Sequence, residues 1–308
     1  MRIAAMAAGA VGGYYGARLA AAGHDVFFIA RGSNLAAIQK NGLTIKSVHG
    51  DMHLPKPNVT DDPARVGPVD IVLFAVKLWD TEKAADLTRP MVGPDTRVIT
   101  FQNGVDSVER ISAVLSAGAV VGGITQIATT LSAPGVVSHT SNFAMMRFGH
   151  ADGHADPVLS AFVNACKGAK LDDVAISDDI QRDIWQKFIF LTAMAGATAS
   201  LRSSIGPIIA DPDTRAFFRQ LMEEAFAVGK AKGVRIPADH IDQRMTFVGK
   251  IEPGMKASMA HDLERGNRLE LDWLNGKVRE LGRALKIPTP ASDTVYTVLK
   301  LHRMGRSG

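Results

Sequence analysis

An α/β fold that opens with a parallel sheet and closes with an all-helical part is what these 308 residues predict. Three observations carry the prediction. The first thirty-odd residues read as strand, glycine turn, helix and second strand. Two later runs, Val69–Val76 and Arg97–Phe101, are apolar and β-branched, as in parallel strands buried on both faces. From about Ser177 onward nearly every segment has helical period.

The opening unit is the most informative stretch. Met1–Ala7 reads as a buried strand, Ala8–Gly13 as a tight small-residue turn, Tyr14–Gly23 as a helix and Asp25–Ala30 as a second strand. A strand, a glycine turn and a helix in this order form the fingerprint of a Rossmann-type dinucleotide site. Gly9, Ala10, Val11 and Gly12 supply the turn, whose backbone and helix N-terminus suit a pyrophosphate. The fingerprint's first glycine is Ala7 here, and alanine serves the turn if its φ is negative. An NAD site places an acid about 20 residues on, to bind the ribose 2′-hydroxyl. This second strand ends instead in Arg31-Gly32-Ser33-Asn34. Arg31 can fork onto a 2′-phosphate, with Ser33 and Asn34 as neutral donors, so NADPH is the expected cofactor.

The remaining elements follow in order. Asn34–Lys40 reads as a short helix, and Leu43–Val48 with Met52–Leu54 as a hairpin. The strand Val69–Val76 ends at Lys77, and the strand Arg97–Phe101 ends at Gln102-Asn103-Gly104. Lys77 and Asn103 thus lie just past the carboxyl ends of parallel strands, where open α/β sheets bind ligands. Thr81–Met91 and Ser107–Leu115 read as helices. Thr125–Thr130, Gly135–His139 and Phe143–Phe148 read as three short antiparallel strands, followed by a helix over Asp156–Lys167 and an edge strand at Val174–Ile176. Helical runs then cover Ile180–Ser200, Pro212–Lys232, His240–Val248, Lys256–Leu285 and Ala291–His302. The expected domains are 1–177, a Rossmann-type NADP(H) binder, and 178–308, a helical substrate and catalytic domain. A cleft between the two is the expected site.

Composition excludes several classes. The net charge of +4 comes without a basic block, which argues against nucleic acid and suits an anionic cofactor and an acid substrate. The single cysteine, Cys166, allows no intrachain disulfide and reads as a buried small residue. No apolar run approaches the roughly 20 residues that span a bilayer, and the N-terminus lacks the basic flank of a signal peptide. A cytoplasmic protein with no metal site is expected, and a homodimer is left open.

In the helical part, polar residues fall on apolar faces. Ile180, Ile184, Phe188, Leu191 and Ala195 form a stripe with Lys187 inside it. That lysine either snorkels outward or faces a cavity holding an anion or a reacting oxygen. Glu270 lies among Leu263, Leu271, Leu274, Val278 and Leu281. An unbroken helix would separate it from Ser258 by about 18 Å. Either the helix breaks near Gly266, or the two residues serve different parts of a long ligand.

Together these segments resemble the ketopantoate reductase (2-dehydropantoate 2-reductase) family along almost the whole chain. The carriers are Ala7–Gly13 with Arg31, Ala75–Trp79, Gln102–Gly104, Ile184–Phe188, Ser258-Met259 and Glu270–Gly276. The resemblance implies NADPH-dependent reduction of 2-dehydropantoate to pantoate, in pantothenate biosynthesis. It implies Lys187 as general acid, Asn103 as a contact to cofactor and substrate, and Ser258 as a substrate contact. Lys77, Ala128 and Glu270 match positions near the cofactor. Leu191 and Ala195 stand where the family commonly carries two substrate-binding asparagines, so a more apolar 2-keto acid is the alternative substrate. A hydroxyacid or opine dehydrogenase with the same plan and a non-catalytic NADP(H) sensor are the remaining readings. Lys187 and Glu270 speak against the sensor.

Overall fold

The structure, a computed structural model, describes residues Met1–Arg306. The chain divides into two compact units. The first holds Met1–Gln102 and Asp106–Ile180, and the second holds Asn103–Val105 and Gln181 onward.

The first unit is built on one sheet. Its elements are β1 (Arg2–Met6), α1 (Ala10–Ala21), β2 (Asp25–Ile29), α2 (Gly32–Asn41), β3 (Leu43–Ser47), β4 (Met52–Leu54), β5 (Asn58–Thr60) and β6 (Val69–Phe74). Then come α3 (Thr81–Thr88), β7 (Val92–Thr100), α4 (Ser107–Ser112), β8 (Val120–Ala133), β9 (Val136–Gly149), α5 (Pro157–Gly168) and β10 (Val174–Ile176). The strand order is β4-β3-β9-β8-β7-β6-β1-β2-β5, with β10 parallel to β9. β1 pairs in parallel with β2 on one side and with β6 on the other. The chain therefore reverses its direction of travel across the sheet at β1 and β6, and the carboxyl ends of these strands frame a crevice. Alternation of side chains gives the sheet two cores. Ile3 and Ala5 of β1 join one, and Ala4 and Met6 join the other. Cys166 lies in the first, wholly buried, and burial pushes its thiol up to about 12.

One strand and one helix expectation are corrected here. The three short antiparallel runs are two 14-residue strands, β8 and β9, paired to each other. The stretch Ser141-Asn142 does not interrupt β9, because the Ser141 hydroxyl points inward, donates to the Phe143 carbonyl and accepts the Ala128 amide. The first helix starts at Ala10, inside the glycine run rather than after it.

The second unit is helical: α6 (Ile180–Ser200), α7 (Ile205–Ala210), α8 (Pro212–Ala231), α9 (His240–Val248), α10 (Ser258–Arg265), α11 (Asn275–Leu285) and α12 (Pro290–Leu299). α6 is its axis. One apolar stripe was expected, but from Thr192 to Ala199 every residue of α6 is buried. Its hydroxyls bond back to the helix's own carbonyls, Thr192 to Ile189 and Thr198 to Met194, so polar atoms enter the core satisfied. α7 was not expected, since Pro207 reads as a breaker. Pro207 occupies the helix's first turn, where its missing N–H is not needed. The long helix expected over Lys256–Leu285 is two. Gly266 caps α10 in the left-handed region at φ 71°, which glycine adopts without a Cβ penalty. At the far end of the core, the buried Glu224 carboxylate accepts the Ala291 and Ser292 amides and so caps α12. Among the described residues no helix is long and apolar enough to cross a membrane.

Candidate active site

The glycine turn of the first unit leaves β1 and enters α1. The Ala8 amide bonds to the Ile29 carbonyl at 2.7 Å, tying the turn to β2. At Gly12 a Cβ would stand 2.3 Å from the Ala7 carbonyl oxygen, so only glycine lets α1 pack this closely. At Gly9 a Cβ would meet nothing within 4 Å, so that face is open to a ligand. Ala10 and Val11 form the half-buried first turn of α1, a helix with no acid in its first turn. These features fit a pyrophosphate, which needs close backbone approach and free N–H groups. Ala7 is a correction: its φ is +76°, not negative. The turn keeps the left-handed conformation that the fingerprint's glycine would adopt, and alanine bears the strain.

Arg31 lies at the carboxyl end of β2, exposed, and caps α2. Its guanidinium pairs with Asp80 at 3.2 Å. Ser33 is exposed in the first turn of α2. Asn34 is no free donor. Its amide donates to the Ala8 carbonyl and accepts from the Gly135 amide, both at 2.8 Å, so it pins the glycine turn to the β8–β9 turn. Lys77 follows β6, exposed, with its ammonium 5.6 Å from the Trp79 ring centre. Ala128 is exposed on β8. Gln102, just past the end of β7, has a structural role that its sequence position does not announce. Buried, it donates to the Val76 carbonyl at 3.1 Å and to the Thr81 hydroxyl at 2.9 Å, locking together the ends of β6 and β7. His150, His154 and Asp156 also gather, although no metal site was expected. The Arg97 guanidinium lies on the same Asp156 oxygen that meets His150, and the other oxygen caps α5.

In the second unit, three segments converge. Half-buried Lys187 of α6 donates from Nζ to Asn103 Oδ1 at 3.1 Å, across 84 residues of sequence. The ammonium turns onto Asn103 rather than snorkelling outward. Burial pushes its pKa down to about 8, and the Glu270 carboxylate opposes that shift. Glu270 is itself buried and caps a 3₁₀ turn over Leu271–Trp273, which the chain reaches only because α10 ends at Gly266. Ser258 begins α10 and is exposed. The amide of its neighbour Ala257 bonds to the Thr198 hydroxyl at 3.3 Å, about 16 Å of helix rise beyond Lys187. Leu191 is half-buried, but Ala195 is 1% exposed and belongs to the core. Asn275 went unassigned in the sequence. It is wholly buried, donates to the Thr192 carbonyl at 3.2 Å, and leaves its Oδ1 without a partner. A single Asn-Gly pair in a helical run gives no signal of this.

The fold and these groups define a dinucleotide-dependent oxidoreductase: one unit carries a glycine turn that fits a pyrophosphate, and the other holds an ammonium whose pKa burial lowers to about 8. Comparison with known proteins narrows the class. Residues 3–153 match the family described as ketopantoate reductase PanE/ApbA, and residues 179–303 match its C-terminal counterpart. The chain is 33% identical to a 2-dehydropantoate 2-reductase of Mesorhizobium japonicum, covering 97% of each chain. It is 31% identical to the uncharacterized oxidoreductase YkpB of Bacillus subtilis, covering 98% of this chain and 99% of the other. A PanE/ApbA family ketopantoate reductase structure from Ralstonia eutropha superposes with a TM-score of 0.89 at 32% identity, covering 98% of each chain. The chain belongs to the ketopantoate reductase family.

Proposed function

We propose that this protein reduces a 2-keto acid to a 2-hydroxy acid with NADPH, and that its substrate is 2-dehydropantoate, as the names of its relatives indicate. The observation that carries the reading is the contact of Lys187 with Asn103 beside Glu270. Bound NADPH supplies a hydride to the keto carbon. The chain's residues handle the rest. Negative charge develops on the keto oxygen, and an ammonium within hydrogen-bond reach stabilises it and delivers the proton. With its pKa at about 8, Lys187 is still charged at pH 7 yet gives up a proton far more readily than a surface lysine. Asn103 orients the ammonium through Oδ1, and the Glu270 carboxylate keeps it protonated. Ser258, whose neighbour Ala257 is anchored about 16 Å of helix rise beyond Lys187, would contact the end of the substrate away from the keto carbon. Gly9, Ala10, Val11 and Gly12 cradle the pyrophosphate, Arg31 holds the 2′-phosphate, and Lys77, Asn103, Ala128 and Glu270 line the rest of the cofactor's path. On this reading the first unit supplies the pyrophosphate and 2′-phosphate contacts, and the second carries the chemistry.

A second reading, a more apolar 2-keto acid, is favoured by Leu191, which offers no hydrogen bond one turn beyond Lys187. NADPH oxidation followed with a panel of 2-keto acids separates the two. Ketopantoate turned over well ahead of its deoxy analogue supports the first reading. Parity or reversal supports the second, and no oxidation with any 2-keto acid defeats both.

A further inference from the structure

α9 lies along the stretch of α6 that carries Lys187. His240 Nε2 meets the Gln186 carbonyl oxygen at 3.2 Å, and the Phe247 ring meets Phe190 edge to face at 5.6 Å. Arg244 falls between these two anchors. It is one turn from His240 and one turn from Val248, on the same face of α9. Those neighbours are 1% and 3% exposed, yet Arg244 remains half-buried, so the packed face opens at this point. The guanidinium carbon lies 5.5 Å from the centre of the Phe247 ring. Its Nε is buried and has no hydrogen-bond partner, and among the described residues no carboxylate pairs with it. Burial alone acts on its charge, drawing the pKa down. A desolvated guanidinium with an idle donor is unfavourable in the free protein, and an incoming anion removes that penalty.

Lys187 comes one residue after Gln186 and three before Phe190. It leaves α6 roughly 60–100° around the helix from the α9 anchors. What acts on its ammonium is burial and Glu270, and Arg244 has no part in it. Two cations therefore stand apart on adjoining flanks of one helix, with the apolar rings of Phe190 and Phe247 beside the second. Resting on the reaction proposed above, we propose that Arg244 is a specificity-determining residue that binds a second acidic group, so that, beside 2-dehydropantoate, 2-keto acids with a carboxylate at the far end of the side chain are accepted and preferred to their uncharged analogues. Lys187 and Asn103 take the keto end, the aromatic rings take the methylene stem, and the planar guanidinium takes the distal carboxylate in a two-pronged pair.

The test compares kcat/KM for 2-oxoglutarate and 2-oxoadipate with analogues in which methyl groups replace the distal carboxylate oxygens. It uses the full chain with NADPH, unaltered and as Arg244→Met and Arg244→Lys. The unaltered protein is expected to favour the diacids at least tenfold. Arg244→Met is expected to cut that ratio at least tenfold, through KM rather than kcat, and Arg244→Lys to recover part of it. No preference in the unaltered protein overturns the proposal, as does an equal loss on diacids and analogues in Arg244→Met, which would mark a structural role. If no 2-keto acid is turned over, the proposed reaction fails by itself. Titration of the diacids onto the NADP⁺-loaded protein then decides the role of Arg244. Saturable binding that Arg244→Met abolishes sustains it, and binding absent at the outset or unchanged in the variant overturns it.

Discussion

The glycine turn of the first unit and the Lys187 group of the second reach their chemistry by opposite routes. The turn is made of backbone. Ala7 to Gly12 are contiguous, and what the turn offers is N–H groups and open space. The Lys187 group is made of side chains from three segments, and the contact of Lys187 with Asn103 alone spans 84 residues. The first site stores a little strain at one alanine. The second holds a charge where burial disfavours it, and that same burial brings the lysine's pKa down to about 8. A backbone site is robust and locally encoded, whereas a side-chain site is costly to stability and is assembled by the fold.

The largest effect should come from breaking the second site. Lys187→Ala is expected to lower kcat by roughly 10²–10⁴, the span of a positioned general acid. Isothermal titration should find NADPH affinity nearly unchanged, since the substitution leaves the glycine turn and Arg31 as they are. A fully active Ala variant would remove the distinction between the sites.

The first site should break differently. Arg31→Ala is expected to erase most of an NADPH-over-NADH preference of about ten- to a hundredfold in kcat/KM, matching a charge-assisted pair worth roughly 1.5–3 kcal/mol. Steady-state rates with both cofactors measure it. Equal use of the two by the unaltered protein would sink the 2′-phosphate role.

A pH profile sharpens the comparison further. Below about pH 8 Lys187 is charged and can donate, while above it the donor is lost. Reduction should therefore fall tenfold per unit at high pH, and a flat profile to pH 9.5 would assign the proton to another group. The linkage to stability runs the same way. The folded pKa is below the ordinary lysine value, so the ammonium destabilises the fold below pH 8, and that penalty fades as pH rises towards 10.5. The lowered pKa corresponds to about 3 kcal/mol, and the lost hydrogen bond to Asn103 offsets about 1 kcal/mol of it, so Lys187→Met should raise stability at pH 7 by about 2 kcal/mol, read as a shift in the urea midpoint.

The smallest effect tests the turn's strain. Ala7→Gly should relieve a left-handed alanine that costs about 1–2 kcal/mol, offset in part by glycine's extra unfolded-state freedom. A net gain of about 0.5–1 kcal/mol is expected from these two terms. A loss of stability would mean that the Ala7 methyl makes packing contacts worth more than the strain.

The first strand–helix–strand unit, the parallel runs at Val69 and Arg97, the fingerprint at Gly9 and Gly12 and the family itself were legible in the sequence, because each depends on spacing within one segment. Lys187 was legible as a question, since a lysine on an apolar helix face has two fates and periodicity cannot choose between them. The tertiary structure chose, by desolvating the ammonium and bringing Asn103 to it. It also broke the long helix at Gly266, turned Asn34 from a donor into a pin, and drew Ala195 into the core. Arg244 and Gln102 gave no local signal. A guanidinium left without an acid, or an amide tying two strand ends together, is defined by what surrounds it, and those surroundings come from residues distant in sequence. Local spacing sets which elements form, while desolvation and pairing of a side chain are decided only when the elements pack.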